Sequence, residues 1–225
     1  TRLMGIFISG NYSWDNIILG DVSIRFDGSS EFGSDSQWGS FWSVGGGINV
    51  HNLKFMKALP WLNQFKIRGT YGATGKVNYP PYAARDTYEV LFDDWYSTGV
   101  GATLQGIGNE KLVWEKTNTT NIGFDLSFFQ SKYSLTFSWY NRQTVDMITD
   151  VTIPSSAGFT SYKDNMGETR NRGYEISLSA TILNTKDFGV NAFINFARNE
   201  GRLMKISESL KAYNERVDDY LTLQH

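Results

Sequence analysis

The densest set of groups that could do chemistry lies between Lys76 and Glu110, where Tyr79, Pro80, Pro81, Tyr82, Tyr88, Asp93, Asp94, Trp95 and Tyr96 crowd one stretch. Flat aromatic faces beside carboxylates suit sugars, because rings stack on apolar C–H faces while carboxylates accept hydroxyl hydrogens. The same groups suit a peptide whose basic side chains pair with the acids. Asp93, Asp94, Trp95 and Tyr96 are therefore the candidate substrate-binding set. The plain alternative is that these aromatics pack a long loop down on itself, as a lid or a partner contact. Catalysis fits poorly. The adjacent acids Asp93 and Asp94, like Asp218 and Asp219, have no neighbour that would raise the pKa of one carboxyl, so they read as solvated loop acids. Cysteine is absent and the histidines are His51 and His225, which leaves no thiolate site and little for zinc or general-base work. Gly75-Lys76 is not a phosphate-binding loop, since Thr70 stands where the first glycine belongs and Val77 follows the lysine. Gly99-Val100-Gly101-Ala102-Thr103-Leu104 lacks the sixth-position glycine of a dinucleotide fingerprint. No enzyme activity, metal or cofactor is expected.

The elements that must position such a loop are strands. The 225 residues include Phe 15, Tyr 12 and Trp 7 and carry a net charge of −2, which argues against both disorder and a basic footprint for nucleic acid. No run approaches the roughly 18 to 20 apolar residues of a membrane helix. Period-2 alternation recurs along the chain instead. Ile122, Phe124, Leu126 and Phe128 alternate with Asn121, Gly123, Asp125 and Ser127. Leu135 and Phe137 alternate with Thr136 and Ser138, Ile176 and Leu178 with Glu175 and Ser177, and Ile194 with Asn195. We expect strands at 3–12, 16–28, 40–50, 64–75, 111–129, 133–149, 162–183 and 188–199, each with one apolar and one polar face. Short turns near Tyr12–Asn16, Gln130–Lys132 and Asn184–Asp187 alternate with long connections at 28–39, 76–110 and 150–162. The segment 51–63 reads as a longer member of the short-turn set, with one helical turn near Trp61.

Long strands with short turns at one end and long loops at the other match a transmembrane β-barrel, in which the apolar phase meets lipid and the polar phase a lumen. A soluble β-sandwich that binds glycans shows the same alternation and stays open. So does a small self-contained barrel with a structural role. The tail differs: Ile206, Leu210, Tyr213, Val217 and Leu221 fall at helical spacing, so 201–225 is expected to be an extracellular loop carrying an amphipathic helix, after a barrel portion at 1–200. Both ends read as cut ends, and the chain is expected to be a piece of something longer.

Several segments, in order, resemble one family. They are Arg25-Phe26-Asp27-Gly28-Ser29-Ser30-Glu31-Phe32-Gly33, Arg68-Gly69-Thr70-Tyr71-Gly72-Ala73-Thr74-Gly75, and Gly108-Asn109-Glu110-Lys111-Leu112-Val113-Trp114-Glu115-Lys116-Thr117 with Asn121-Ile122-Gly123-Phe124-Asp125 after it. Tyr140-Asn141-Arg142-Gln143-Thr144-Val145-Asp146-Met147, Pro154-Ser155-Ser156-Ala157-Gly158-Phe159, Asn165-Met166-Gly167-Glu168 and Asn171-Arg172-Gly173-Tyr174-Glu175 follow. Together they resemble the C-terminal barrel of the SusC/RagA-type TonB-dependent transporters. The resemblance implies an all-β fold, an antiparallel up-and-down meander of about eight strands forming part of a large transmembrane β-barrel that holds about 22 strands in plugged transporters. It implies the outer membrane of a Gram-negative bacterium and uptake of an oligosaccharide or peptide. The partners it implies are outer-membrane lipid, a SusD-like surface lipoprotein over the extracellular mouth, and TonB acting through a plug domain absent from this chain. On this reading Arg25, Asp27, Lys66 and Arg68 face the lumen, Gly72 and Gly75 end a strand, and Asn171-Arg172-Gly173 is expected to form a bulge or a kink.

Overall fold

The computed structural model describes residues 2–32, 36–76, 84–97, 99–206 and 211. Alternating sequence has become strand almost throughout. The strands are β1 (Leu3–Trp14), β2 (Ile18–Ser29), β3 (Trp38–Asn49), β4 (Leu62–Lys76), β5 (Thr87–Tyr96), β6 (Gly99–Gly106), β7 (Glu115–Phe128), β8 (Tyr133–Thr152), β9 (Ser161–Asn184) and β10 (Gly189–Lys205). Eight of them form one antiparallel sheet in the order β1-β2-β3-β4-β7-β8-β9-β10, and β5 pairs with β6 in a separate two-stranded sheet. Each sheet neighbour is the next strand in sequence except at β4 and β7, which the β5–β6 hairpin interrupts.

The register aligns the alternation across the whole sheet. Trp14, Ile18, Ile48, Ile67, Phe124, Phe137, Ile176 and Phe196 are successive cross-strand partners and make one unbroken apolar rung. Phe124 and Phe137 stack within it at 5.3 Å. The sequence-expected apolar set (Ile122, Phe124, Leu126, Phe128, Leu135, Phe137, Ile176, Leu178 and Ile194) shares this face, and Asp125, Ser127, Thr136, Ser138, Glu175, Ser177 and Asn195 share the other. Most of the large apolar residues on this face are solvent-exposed in the chain by itself, including Ile24, Val44, Ile122, Leu178 and Phe196. A soluble protein rarely leaves so broad a surface bare.

The apolar band crosses the rungs obliquely. Counting from that apolar rung, the first polar residue on the apolar face is one rung away on β10 (Arg198) and two rungs away on β9, β8 and β7 (Arg172, Asn141 and Thr120). On β1 and β2 the face is still apolar four rungs away, where Ile6 opposes Phe26. With two residues per rung, that shift is about 27 Å along the strands over about 29 Å across them, a slope near 40°. Strands in outer-membrane barrels tilt by roughly 35–45° from the barrel axis, so a band that is level in a membrane must cut the rungs at about that angle. The obliqueness is what a lipid-facing girdle on tilted strands requires.

The short turns are tied to one another along one end. Trp14–Ile17 turns through Asp15 and Asn16, with φ of 50° and 53° as a type I′ hairpin demands. The side-chain amides of Asn49 and Asn52 both donate to the Asn16 carbonyl, at 2.8 and 2.9 Å. The connection from β3 to β4 holds two 3₁₀ turns, Val50–Asn52 and Lys54–Ala58. Farther along, Phe129 N–H donates to the Trp61 carbonyl at 2.7 Å, Ser131 N–H to Asn63 Oδ1 at 3.1 Å, and Thr181 N–H to the Lys132 carbonyl at 2.7 Å.

Several expectations need correction. The 76–110 connection is not all loop, since it contains the β5–β6 hairpin. β7 begins at Glu115 rather than Lys111, because Asn109–Trp114 folds back against β9. The register slips at Val145–Asp146, opposite Glu168, and again at Met166, while 171–173 pairs regularly with both neighbours. Asp146 takes φ of 55°, a left-handed conformation that Asp tolerates. β10 also continues to Lys205, so the start of the expected 201–225 loop is strand: hydrophobic alternation stops at Arg198, where the outward phase leaves the apolar band, but pairing does not. The helical spacing after Ile206 lies outside the described residues, apart from Lys211.

Candidate functional site

The polar face carries paired charges at strand centres. Arg68 Nε donates to Asp125 at 3.4 Å and its Nη2 to the Ser138 hydroxyl at 2.6 Å, reaching across β7. Gly123 makes that crossing possible, for a Cβ there would sit 3.1 Å from the guanidinium carbon and 2.5 Å from the Phe137 carbonyl. Arg25 Nε pairs with the buried Asp27 at 2.6 Å. Half-exposed ion pairs like these contribute little stability; their effect is to keep this face hydrophilic.

The long-loop end is built around a small apolar core of Phe32, Phe41, Ala84, Leu112, Trp114 and Ile148. The Trp114 ring stacks on Phe32 at 4.8 Å and meets Phe41 edge-on at 5.6 Å. Its buried indole N–H has no partner among the described residues. Asn165 fastens the segment to the sheet: its side-chain oxygen accepts from Val113 N–H at 2.9 Å, and its amide donates to the carbonyls of Val113 at 3.0 Å and Asp146 at 2.6 Å. The buried Glu115 carboxylate accepts from Ile148 N–H at 2.9 Å, where the bulge has freed that donor. Asn109 donates to the Lys163 carbonyl at 3.0 Å and to Asp164 at 3.2 Å. Three segments that the sequence reading singled out, 108–117, 140–147 and 165–168, thus meet at one place.

Beside this core opens a cleft of 720 Å³ lined by Ser36, Gly108, Asn109, Glu110, Lys111, Tyr162 and Asp164. The Tyr162 hydroxyl donates to Asp164 at 3.3 Å. Burial, and then the adjacent Asp164 carboxylate, raise the Tyr162 pKa, so the phenol stays a neutral donor at ordinary pH. The lining offers hydroxyl, amide, carboxylate and ammonium groups, which can hydrogen-bond a hydroxyl-rich or peptide-like ligand. Sequence reasoning missed Ser36, Tyr162 and Asp164 as site residues, because they are far apart in sequence and are brought together by the packing of 109–114 against β9.

The candidate set Asp93–Tyr96 lies on β5, in the hairpin. Register jumps there from the Leu91–Gly101 pair to the Trp95–Val100 pair, so 92–94 bulges out of the ladder. Asp93 is exposed, and so is Tyr96 at 66%. The side chains of Asp94 and Trp95, and the whole of Tyr79, Pro80, Pro81 and Tyr82, fall outside the described residues. The hairpin is anchored to the cleft at its base, where Gly108 N–H donates to Asp86 at 2.8 Å. Gly108 is required at that junction, since a Cβ would run into the Arg85 backbone.

A family model described as TonB dependent receptor-like, beta-barrel, matches residues 1–222. The chain is 32% identical over 215 residues to the TonB-dependent receptor SusC of Bacteroides thetaiotaomicron, covering 91% of this chain and 21% of that protein. It is 31% identical over 206 residues to the TonB-dependent receptor P39 of Formosa agariphila, covering 92% of this chain and 20% of that protein. The solved RagAB peptide transporter superposes with a TM-score of 0.84 at 32% identity, covering 92% of this chain and 23% of that one. The chain spans about a fifth of the length of the curated relatives it matches.

Proposed function

Because the chain belongs to the TonB-dependent receptor-like β-barrel family, we propose that it forms part of the wall of an outer-membrane transporter of a Gram-negative bacterium, which imports a large nutrient, a glycan or a peptide, with energy delivered through TonB. The chain does no bond chemistry in this reading. The observation that carries it is the oblique apolar band opposite a face of ion pairs, which suits tilted strands with lipid on one side and a lumen on the other. The likeness to SusC and to the RagAB peptide transporter supports a glycan or peptide as cargo. A SusD-like surface lipoprotein closes over the long-loop end, and a plug domain in the lumen relays the pull of TonB.

Orientation can be tested first. In intact cells expressing the full-length protein, a cysteine replacing Ser156, on the 3₁₀ turn between β8 and β9, is expected to react with a membrane-impermeant reagent. One replacing Ser131, in the turn between β7 and β8, is expected to stay unlabelled. The reverse pattern would invert the topology.

Cargo contact is assigned to Asp93, Asp94, Trp95 and Tyr96 on the hairpin, working with the cleft at its base. Asp94→Ala combined with Trp95→Ala in the full-length protein is expected to weaken binding of the true cargo about tenfold or more, as the loss of one ring stack and one charge-assisted contact implies. If uptake and binding of every tested glycan and peptide stay at parental levels, the hairpin is scaffold.

A further inference from the structure

On the apolar face, the strip just past the apolar band on β9 and β10 is strongly cationic. Arg170 and Arg172 on β9 and Arg198 and Arg202 on β10 share that face with Tyr174, Ile176, Ile194 and Phe196. Arg170 stands directly opposite Arg202, and Arg198 directly opposite Tyr174. Like charges facing each other across a ladder repel, so the pattern is costly unless an anion lies between them. The protein supplies only part of that anion. Glu200 bridges Arg172 at 3.2 Å and Arg202 at 2.5 Å, while Glu168 accepts instead from Gln143 at 2.6 Å. Among the described residues, Arg170 and Arg198 have no carboxylate partner.

We propose that this strip binds the phosphate groups of an outer-leaflet glycolipid. The inference rests on the membrane reading above, in which this face meets lipid. Three observations lead to it. The arginines begin one rung beyond Phe196 and flank the Trp139–Tyr174 cross-strand pair, the position at which interfacial aromatics give way to headgroups. They lie at the long-loop end of the band, the outer-leaflet side. They crowd one flank: elsewhere past the band β7 adds the single cation Lys116, and the corresponding positions on β1–β4 are Met4, Ile6, Phe26, Gly28, Ser40 and Gly75, without a charge. These side chains share the face opposite Arg142 and Asn171, so they do not line the cargo path. Guanidinium forks match phosphate oxygens two at a time, and four in so small an area favour a ligand with more than one phosphate.

The test is retention of lipid by the full-length protein, purified in detergent and weighed intact by native mass spectrometry after incubation with diphosphorylated lipid A or its dephosphorylated counterpart. The parent is expected to retain the diphosphorylated lipid and to lose it when the phosphates are removed. Arg170→Gln with Arg202→Gln is expected to retain about tenfold less, in line with the loss of one or two charge-assisted contacts. Arg170→Lys with Arg202→Lys, which keeps the charge, is expected to recover most of the retention, and Arg142→Gln on the opposite face to lose none. Equal retention by the double Gln variant, with heat-modifiable migration showing an intact barrel, overturns the proposal. Displacement of the lipid by excess inorganic phosphate alone also overturns it, leaving a general anion site. Failure of the membrane reading would show earlier, as release of the parent from membranes by buffer without detergent.

Discussion

Phe137→Arg is expected to destabilise the folded barrel by about 2 to 4 kcal/mol, the range for an arginine on the lipid face near the bilayer midplane. Phe137 belongs to the rung that is apolar on all eight strands, with Phe124 and Ile176 as its direct partners. A guanidinium there has hydrocarbon on one side and stacked rings on the other, and no carboxylate on that face of β7, β8 or β9 within two rungs. Thr136, one residue earlier, projects from the polar face beside Asp125 and Ser177. Arginine at Thr136 is therefore expected to cost far less, since it meets water and a carboxylate. Urea titration of the full-length protein refolded into lipid vesicles measures both. Equal costs at 136 and 137 would mean that the apolar face does not meet lipid.

Asn165→Leu is expected to release the long-loop end without unfolding the sheet. Leucine fills a similar volume but leaves Val113 N–H and the carbonyls of Val113 and Asp146 without the partner that Asn165 provides. Unsatisfied groups in a part-buried site cost about 1 to 3 kcal/mol each before water rescues them, so a local loss of about 2 to 4 kcal/mol is expected. The loss falls on Asn109–Trp114, because the β8–β9 ladder does not depend on that side chain. Hydrogen exchange should show faster exchange at residues 109–115 with unchanged protection at 120–127. Uniform loss of protection would show instead that Asn165 supports the whole sheet.

The strands were legible because most carry polar groups on one phase and apolar groups on the other, a contrast strong enough to read from Ile122 to Phe128 without neighbours. The β5–β6 hairpin was not legible for the opposite reason. Tyr88, Val90 and Phe92 alternate as a strand should, but Leu91 on the other phase, and the aromatic residues crowded around them, blur the contrast. The bulge was placed at the glycine of 171–173, whereas the extra residue sits at Asp146, whose left-handed backbone leaves no pattern in composition. The cleft had no sequence signature at all, for Asn109 and Asp164 are 55 residues apart and meet through a single amide. The candidate acids were read from local crowding, and crowding says what could bind but not which groups face one another.

The stitched short turns bear on how such a sheet could go wrong. A shift of one residue between neighbouring strands throws every apolar side chain to the polar face, and lipid alone forbids it. A shift of two residues does not: the faces stay correct, the ladder re-forms, and the membrane barely distinguishes the two alignments. The bonds to the carbonyls of Asn16, Trp61 and Lys132 and to Asn63 Oδ1 do distinguish them, because each links a turn to the strand pair beside it and breaks if either moves by two. The lipid thus chooses which side faces out, and the rim of turns chooses the alignment.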